Sequence, residues 1–292
     1  MSIRLSIAPD SWGVWFPEHH LQPSPDRCLS EMAEAGFEGV ELGPWGYFPT
    51  DLEQLRGALH ERSLSLVAGT IGANFLDESS VAEACATIDD IAKLMLNFPE
   101  AKYVVLLPAM YTDLETGQPV MEATLSDADR DRYLANVQRL ADHCASFGLE
   151  GVFHPHVDSH VETEEQIEHL LANTNVNLCL DLGHHVYGGG EPVAFYRKHA
   201  ERIPYMHIKD CDLSIKKKMD LEGWSFAKAV VEGIMTVPGK GAVNLSELHE
   251  ALVAQGYSGW VTVEQDLFPV ASFDIPLQLA KEAYYGLRAA GF

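Results

Sequence analysis

Carboxylates and imidazoles recur in this chain where short apolar runs end. VELGPWGYFPTD carries Glu41, LCLDLGHH carries Asp181, His184 and His185, PYMHIKD carries His207, Lys209 and Asp210, and WVTVEQD carries Glu264. GVFHPHVDSHVET adds His154 and His156, then Glu162 just ahead of a helical stretch. Oxygen and imidazole donors without thiolate suit a hard or borderline divalent ion such as Mn2+, Co2+, Mg2+ or Zn2+. A His-x-His on an extended chain turns both rings to one side, so His154 and His156 can face a common space.

Each residue also has a plainer role open to it. An Asp after a strand often caps the next helix, a single His in MHIKD suits a hydrogen-bonded core position, and Glu162 can answer the positive end of the helix it precedes. Glu264 has fewer alternatives, because a carboxylate at the end of an apolar strand is costly to desolvate unless a cation or donors meet it. Asp181, His207 and Glu264 together therefore predict a metal site, with Glu162 placed ahead of His154 as fourth ligand.

The elements that must position these groups alternate along the chain. Strands are expected at Ile3 to Ala8, Gly39 to Leu42, Leu64 to Gly69, Lys102 to Leu107, Glu150 to His154, Asn177 to Leu180, Pro204 to Ile208 and Trp260 to Val263. Most are short and uniformly apolar, as strands covered on both faces are. Amphipathic stretches fill the gaps. Asp129 to Phe147 places Tyr133, Leu134, Val137, Leu140, Ala141 and Cys144 on one stripe and stops at Gly148. This order predicts an α/β fold with a parallel sheet, a (β/α)8 barrel over residues 1–292 as a single domain. A doubly wound sheet is the alternative, weakened by the lack of G-x-G-x-x-G after the first strand. One connection is disproportionate: residues 211–243 form a long insertion after strand 7, holding Lys216, Lys217, Lys218, Trp224 and Phe226. Long connections on this face are often lids, although a lysine run is more simply a solvated surface.

Composition narrows the partners. Asp and Glu total 43 against 20 Lys and Arg, a formal charge of -23, which repels phosphate backbones and anionic lipid surfaces. Neither nucleic acid nor a membrane is an expected partner. No segment has the ~18 consecutive apolar residues of a membrane span, and the N-terminal run breaks at Pro9-Asp10, so a cytoplasmic location is expected. The five scattered cysteines read as reduced thiols. A homo-oligomer is possible, as for most soluble enzymes.

The stretches APDSWGV, EMAEAGFEGVELGPWGYFP, FHPHVDSHVET, LDLGHHVYGGGEP, MHIKD, TVPGKG and WVTVEQD, in this order over nearly the whole chain, resemble the inosose dehydratase branch of the xylose-isomerase-like TIM barrel family. The resemblance implies a (β/α)8 TIM barrel, a Mn2+ or Co2+ site, and dehydration of 2-keto-myo-inositol (scyllo-inosose). It also implies four ligands from strands 5 to 8 in the order Glu, Asp, His, Glu. Asp181, His207 and Glu264 match, while His154 stands where the first Glu is usual.

Such a site would acidify the C–H beside a ketone and stabilise the enediolate. Glu264, Glu162 and Glu41 are the candidate bases, and His184, His154 and His156 the candidate acids. Lys209 is a candidate for binding an enediolate oxygen, and Trp12, Trp15 and Trp45 for lining the ring, with ordinary rim packing as the alternative. The expected substrate is a small polyhydroxylated ketone. A ketose 3-epimerase or sugar isomerase would use the same site, differing only in the fate of the enediolate. A non-catalytic sugar-binding module is the third reading.

Overall fold

Eight strands close into a parallel barrel in the computed structural model, which describes residues 2–292. They are β1 (Ile3–Ile7), β2 (Gly39–Glu41), β3 (Ser65–Ala73), β4 (Tyr103–Pro108), β5 (Glu150–Phe153), β6 (Asn177–Asp181), β7 (Tyr205–Ile208) and β8 (Gly259–Val263). Each strand pairs with its neighbours in sequence, and β1 closes the ring on β8 with Ile3 opposite Gly259 and Ile7 opposite Val263. All eight lie where the apolar runs place them. β3 departs most: it continues past Gly69 to Ala73 because residues 70–73 pair with residues 105–108 of β4. Its glycines hide this extension from a reading based on side chains, but the backbone ladder needs none.

The barrel interior is a packed plug rather than a channel. Val67, Val105, Val152, Cys179, Tyr205 and Trp260 form an inner cluster, and Tyr103 stacks on Tyr205 with ring centroids 4.8 Å apart. Polar groups at the strand ends therefore rest on an apolar floor. Outside the ring, helices press single apolar stripes onto the strands. The helix Asp127–Ser146 is capped by Ser126 and buries Tyr133, Leu134, Val137, Leu140 and Cys144, and Gly148 follows with φ +80°. Among the described residues no helix is long and apolar enough to cross a membrane.

The insertion after β7 is folded chain. Asp210–Cys211 pairs antiparallel with Met235–Thr236, and between them lie the helices Leu213–Glu222 and Phe226–Val231. Asp210 fastens the return. Its carboxylate accepts the backbone N–H groups of Cys211 (2.8 Å), Gly239 (2.9 Å), Gly241 (2.9 Å) and Val243 (3.0 Å). A Cβ at position 241 would stand 2.4 Å from Asp210 Oδ1, so the VPGKG stretch needs its second glycine for close approach. In the lysine run, Lys216 pairs with Asp220 and covers the Tyr187 ring, while Lys217 and Lys218 are exposed, the solvated arrangement.

Candidate active site

Residues two apart on a strand share a face. Tyr205, His207 and Lys209 follow this rule along β7 and beyond it, as do Thr262, Glu264 and Asp266 along β8, and the two strands set Thr262 opposite His207. The facing side chains meet in three rungs. Tyr205 Oη lies 2.5 Å from Thr262 Oγ1, His207 Nδ1 lies 3.0 Å from Glu264 Oε2, and Lys209 Nζ lies 3.0 Å from Asp266 Oδ2. On the other side of β7, Asp181 is the register partner of His207. His154 follows the last residue of β5.

These strand ends bring four donor atoms, one each from His154, Asp181, His207 and Glu264, within 4.8 Å of one another. His154 Nε2 is 3.5 Å from Asp181 Oδ2 and 3.7 Å from Glu264 Oε2, and His207 Nδ1 is 3.9 Å from Asp181 Oδ2. Both ring nitrogens of His154 and Oδ2 of Asp181 are buried without a hydrogen-bond partner. Such orphans are rare in folded proteins and cost ~1–3 kcal/mol each. Donors held ~2.1 Å from one divalent ion stand about 3–4.2 Å apart. The set therefore fits a divalent metal, which would satisfy the orphaned His154 Nε2 and Asp181 Oδ2.

Lys209 supplies a fixed positive charge beside this group. Its Nζ is 2.7 Å from Glu264 Oε2, 3.4 Å from Asp181 Oδ2 and 3.0 Å from His184 Nε2. Burial opposes its charge, but Asp181, Asp266 and Glu264 outweigh burial and hold its pKa well above the ordinary value. For Glu264 burial likewise favours the neutral form, and His207 and Lys209 overcome it, holding the carboxyl well below its usual range. Asp10 goes the other way: burial, then the charges of Glu264 and Asp266, push it well up. His156 is pushed down to about 3 by burial and by His154 and Lys209, and its Nδ1–H donates to Val157 O at 2.9 Å. Its Nε2 is thus a neutral acceptor.

A cavity of about 390 Å³ opens over these groups, within the ~300–1,000 Å³ of small-molecule pockets. Trp15, Trp45, His154, His156, His207, Lys209 and Glu264 line it as expected. Five expected residues do not, Asp181 among them. Glu41 lies beneath the site, accepting from Tyr205 Oη at 2.6 Å and from His207 Nε2 at 2.8 Å. Trp12 is fully buried in the core with its Nε1–H on Glu31 at 2.7 Å, the packing role. His184 stands behind Lys209, kept neutral by burial and the neighbouring ammonium, and accepts from it. Glu162 is outside the four-donor group, close enough to Asp158 and Lys216 to feel their charges, and burial followed by Asp158 pushes its pKa up to about 7. The fourth donor is His154 instead, because it directly continues β5 whereas Glu162 comes after a loop. Asp181 Oδ1 caps the helix Leu182–Tyr187 by accepting His184 N–H at 2.7 Å, which leaves Oδ2 within the four-donor group.

Asp10, Asp266 and Phe226, none of them among the residues expected at the site, also line the cavity. Asp266 was visible as the second residue after Glu264, and Asp10 as the acid just beyond β1. Phe226 carried no such signal, since it reaches the cavity only through the fold of the insertion, where it stacks against Trp15 with centroids 6.5 Å apart.

A barrel with converging donors at the C-terminal ends of β5 to β8 defines a metal-site class, and a family model described as xylose isomerase-like TIM barrel matches residues 29–283. The chain belongs to that family. It is 33% identical to the rhizopine catabolism protein MocC of Rhizobium meliloti, over 100% of this chain and 91% of the relative. It is 31% identical to an inosose dehydratase of Geobacillus kaustophilus, over 96% of this chain and 92% of the relative. These relatives bear out the resemblance to the inosose dehydratase branch. In fold, it matches a solved structure of the IolI protein with a bound zinc atom at a TM-score of 0.71 and 18% identity, with 99% of each chain covered.

Proposed function

We propose that this protein is a lyase that removes water from a cyclic polyhydroxy ketone, scyllo-inosose or a close relative, with Mn2+ or Co2+ held by His154, Asp181, His207 and Glu264. The observation that carries this reading is the buried four-donor group with its orphaned His154 and Asp181 atoms at the base of a small-molecule cavity. The full-length relatives named for inosose dehydration support the substrate class. Bound there, the ion would supply Lewis acidity to a ketone oxygen.

The chain's own groups divide the remaining work. Glu264, the only one of Glu41, Glu162 and Glu264 that lines the cavity, takes the proton from the carbon beside the ketone. The Lys209 ammonium neutralises charge as it develops on the enediolate oxygen. Asp10 lines the cavity, and Asp266, the other lining Asp, is held by Lys209. Asp10 therefore gives the proton with which the β-hydroxyl leaves as water, and a carbon–carbon double bond forms. His156 Nε2 accepts a substrate hydroxyl and orients the ring.

The test is proton NMR in D2O of scyllo-inosose and of a ketohexose with Mn2+-loaded enzyme. Loss of water from the inosose is expected. C–H exchange or epimerisation of the ketohexose without elimination would replace this reading with the epimerase one, and inertness toward both would overturn it.

A further inference from the structure

The cavity is divided by the order of strands around the barrel. β7 and β8 bring His207, Lys209, Glu264 and Asp266, and the ring order places β3 and β4 across the mouth from them. On that far wall the lining side chains are Ile71, Leu107, Met110 and Leu114, all half-buried, with Val105 and Pro108 beside them. Thr70 is the only polar side chain that this wall contributes. Above, Trp15 and Phe226 add stacked rings, nearly parallel at 6°.

A wall of this kind does more for a ring that carries an apolar group than for a fully hydroxylated one. Aromatic rings cover the C–H face of a sugar ring, but hydroxyls radiate from its edge. With the ketone edge at β7 and β8, the opposite edge meets mainly aliphatic side chains, with the Thr70 hydroxyl and the Gly72 backbone as the polar groups. Each polar group buried without a partner weakens binding by roughly tenfold or more, whereas apolar groups placed there gain affinity by removing surface from water.

We propose that the substrate is an amphipathic ring ketone, bearing an ether-linked alkyl or aryl group on the edge opposite the carbonyl, and that Ile71, Leu107, Met110 and Leu114 select it. This rests on the ring-ketone reading of the site and specifies which ketone. The contacts lie remote from the reacting carbons and are made equally before and during the reaction, so the preference falls on KM.

The experiment compares scyllo-inosose with its O-methyl and O-benzyl ethers at the carbon opposite the carbonyl, using Mn2+-loaded wild-type protein and following α-C–H exchange and water loss. The expected result is a kcat/KM at least about tenfold higher for one of the ethers, carried by KM, and a Leu114→Asn variant in which this ratio falls toward one. Turnover of the parent ketone as fast as both ethers overturns the inference and leaves the dehydratase reading standing. Inertness of all three ketones overturns that reading and the inference with it.

Discussion

His207 gives its Nε2 proton to Glu41 across 2.8 Å, while its Nδ1 lies 3.0 Å from Glu264 Oε2 on the side of the donor group. A carboxylate on one ring nitrogen fixes which nitrogen is free to bind a metal and how the ring is aimed. Glu41 is thereby a positioning residue, itself held by the Tyr205 hydroxyl at 2.6 Å. Glu41→Ala is expected to weaken Mn2+ binding by about 10–100-fold, and His207→Ala to abolish it. Calorimetric Mn2+ titration separates the two, with circular dichroism confirming that both variants fold.

The fourth ligand is decided by a pair of variants. His154→Ala is expected to emerge from metal reconstitution with little bound ion, whereas Glu162→Gln retains the wild-type amount, because Glu162 lies outside the four-donor group. Metal content by elemental analysis reads this directly, and the opposite pattern would restore Glu162 as the ligand.

Glu162 also makes a prediction about pH. Burial raises its folded pKa to about 7, above the ordinary carboxyl value of 4.5, so between these values the folded state holds more protons than the unfolded one. The group's favourable contribution is present below pH 4.5 and is lost as pH rises through 7. Glu162→Gln should therefore match wild type near pH 4 and exceed it by roughly 1–3 kcal/mol at pH 8. Urea denaturation at the two pH values checks the sign.

Lys209 is the buried cation that offsets Asp181, Glu264 and Asp266 in the metal-free protein. Removing one partner of a buried ion pair costs about 3–5 kcal/mol, so Lys209→Met is expected to lower the melting temperature of the metal-free protein. Saturating Mn2+ should raise it by more in the variant than in wild type, since the ion then supplies the missing positive charge. Equal metal-induced shifts in differential scanning fluorimetry would contradict this account.

Asp210 belongs to the architecture rather than the chemistry. Asp210→Ala leaves four backbone N–H groups of the insertion without their acceptor, and several kcal/mol of stability are expected to go with them. Limited proteolysis should then cut within residues 211–243 before the barrel strands.

The eight-strand order, the inward apolar stripe of the helix Asp127–Ser146, and the candidates Asp181, His207 and Glu264 that the barrel brings together were readable from the sequence alone. Strand periodicity and helix amphipathicity are local, and an acid or imidazole at the end of an apolar strand carries its own argument for a partner. Register was not local. The pairing of residues 70–73 with β4, the presence of His154 rather than Glu162 in the four-donor group, and the place of Glu41 behind His207 rather than in the cavity depend on how neighbouring strands align and which way each side chain then turns. Trp12 shows the same limit, since its indole enters the core to meet Glu31 while Trp15, three residues on, lines the cavity. Sequence thus determined which residues could do chemistry and the order of elements carrying them. The closed ring decided which of them meet, because contacts between residues as distant as Glu41 and His207 exist only once the strands between them have paired.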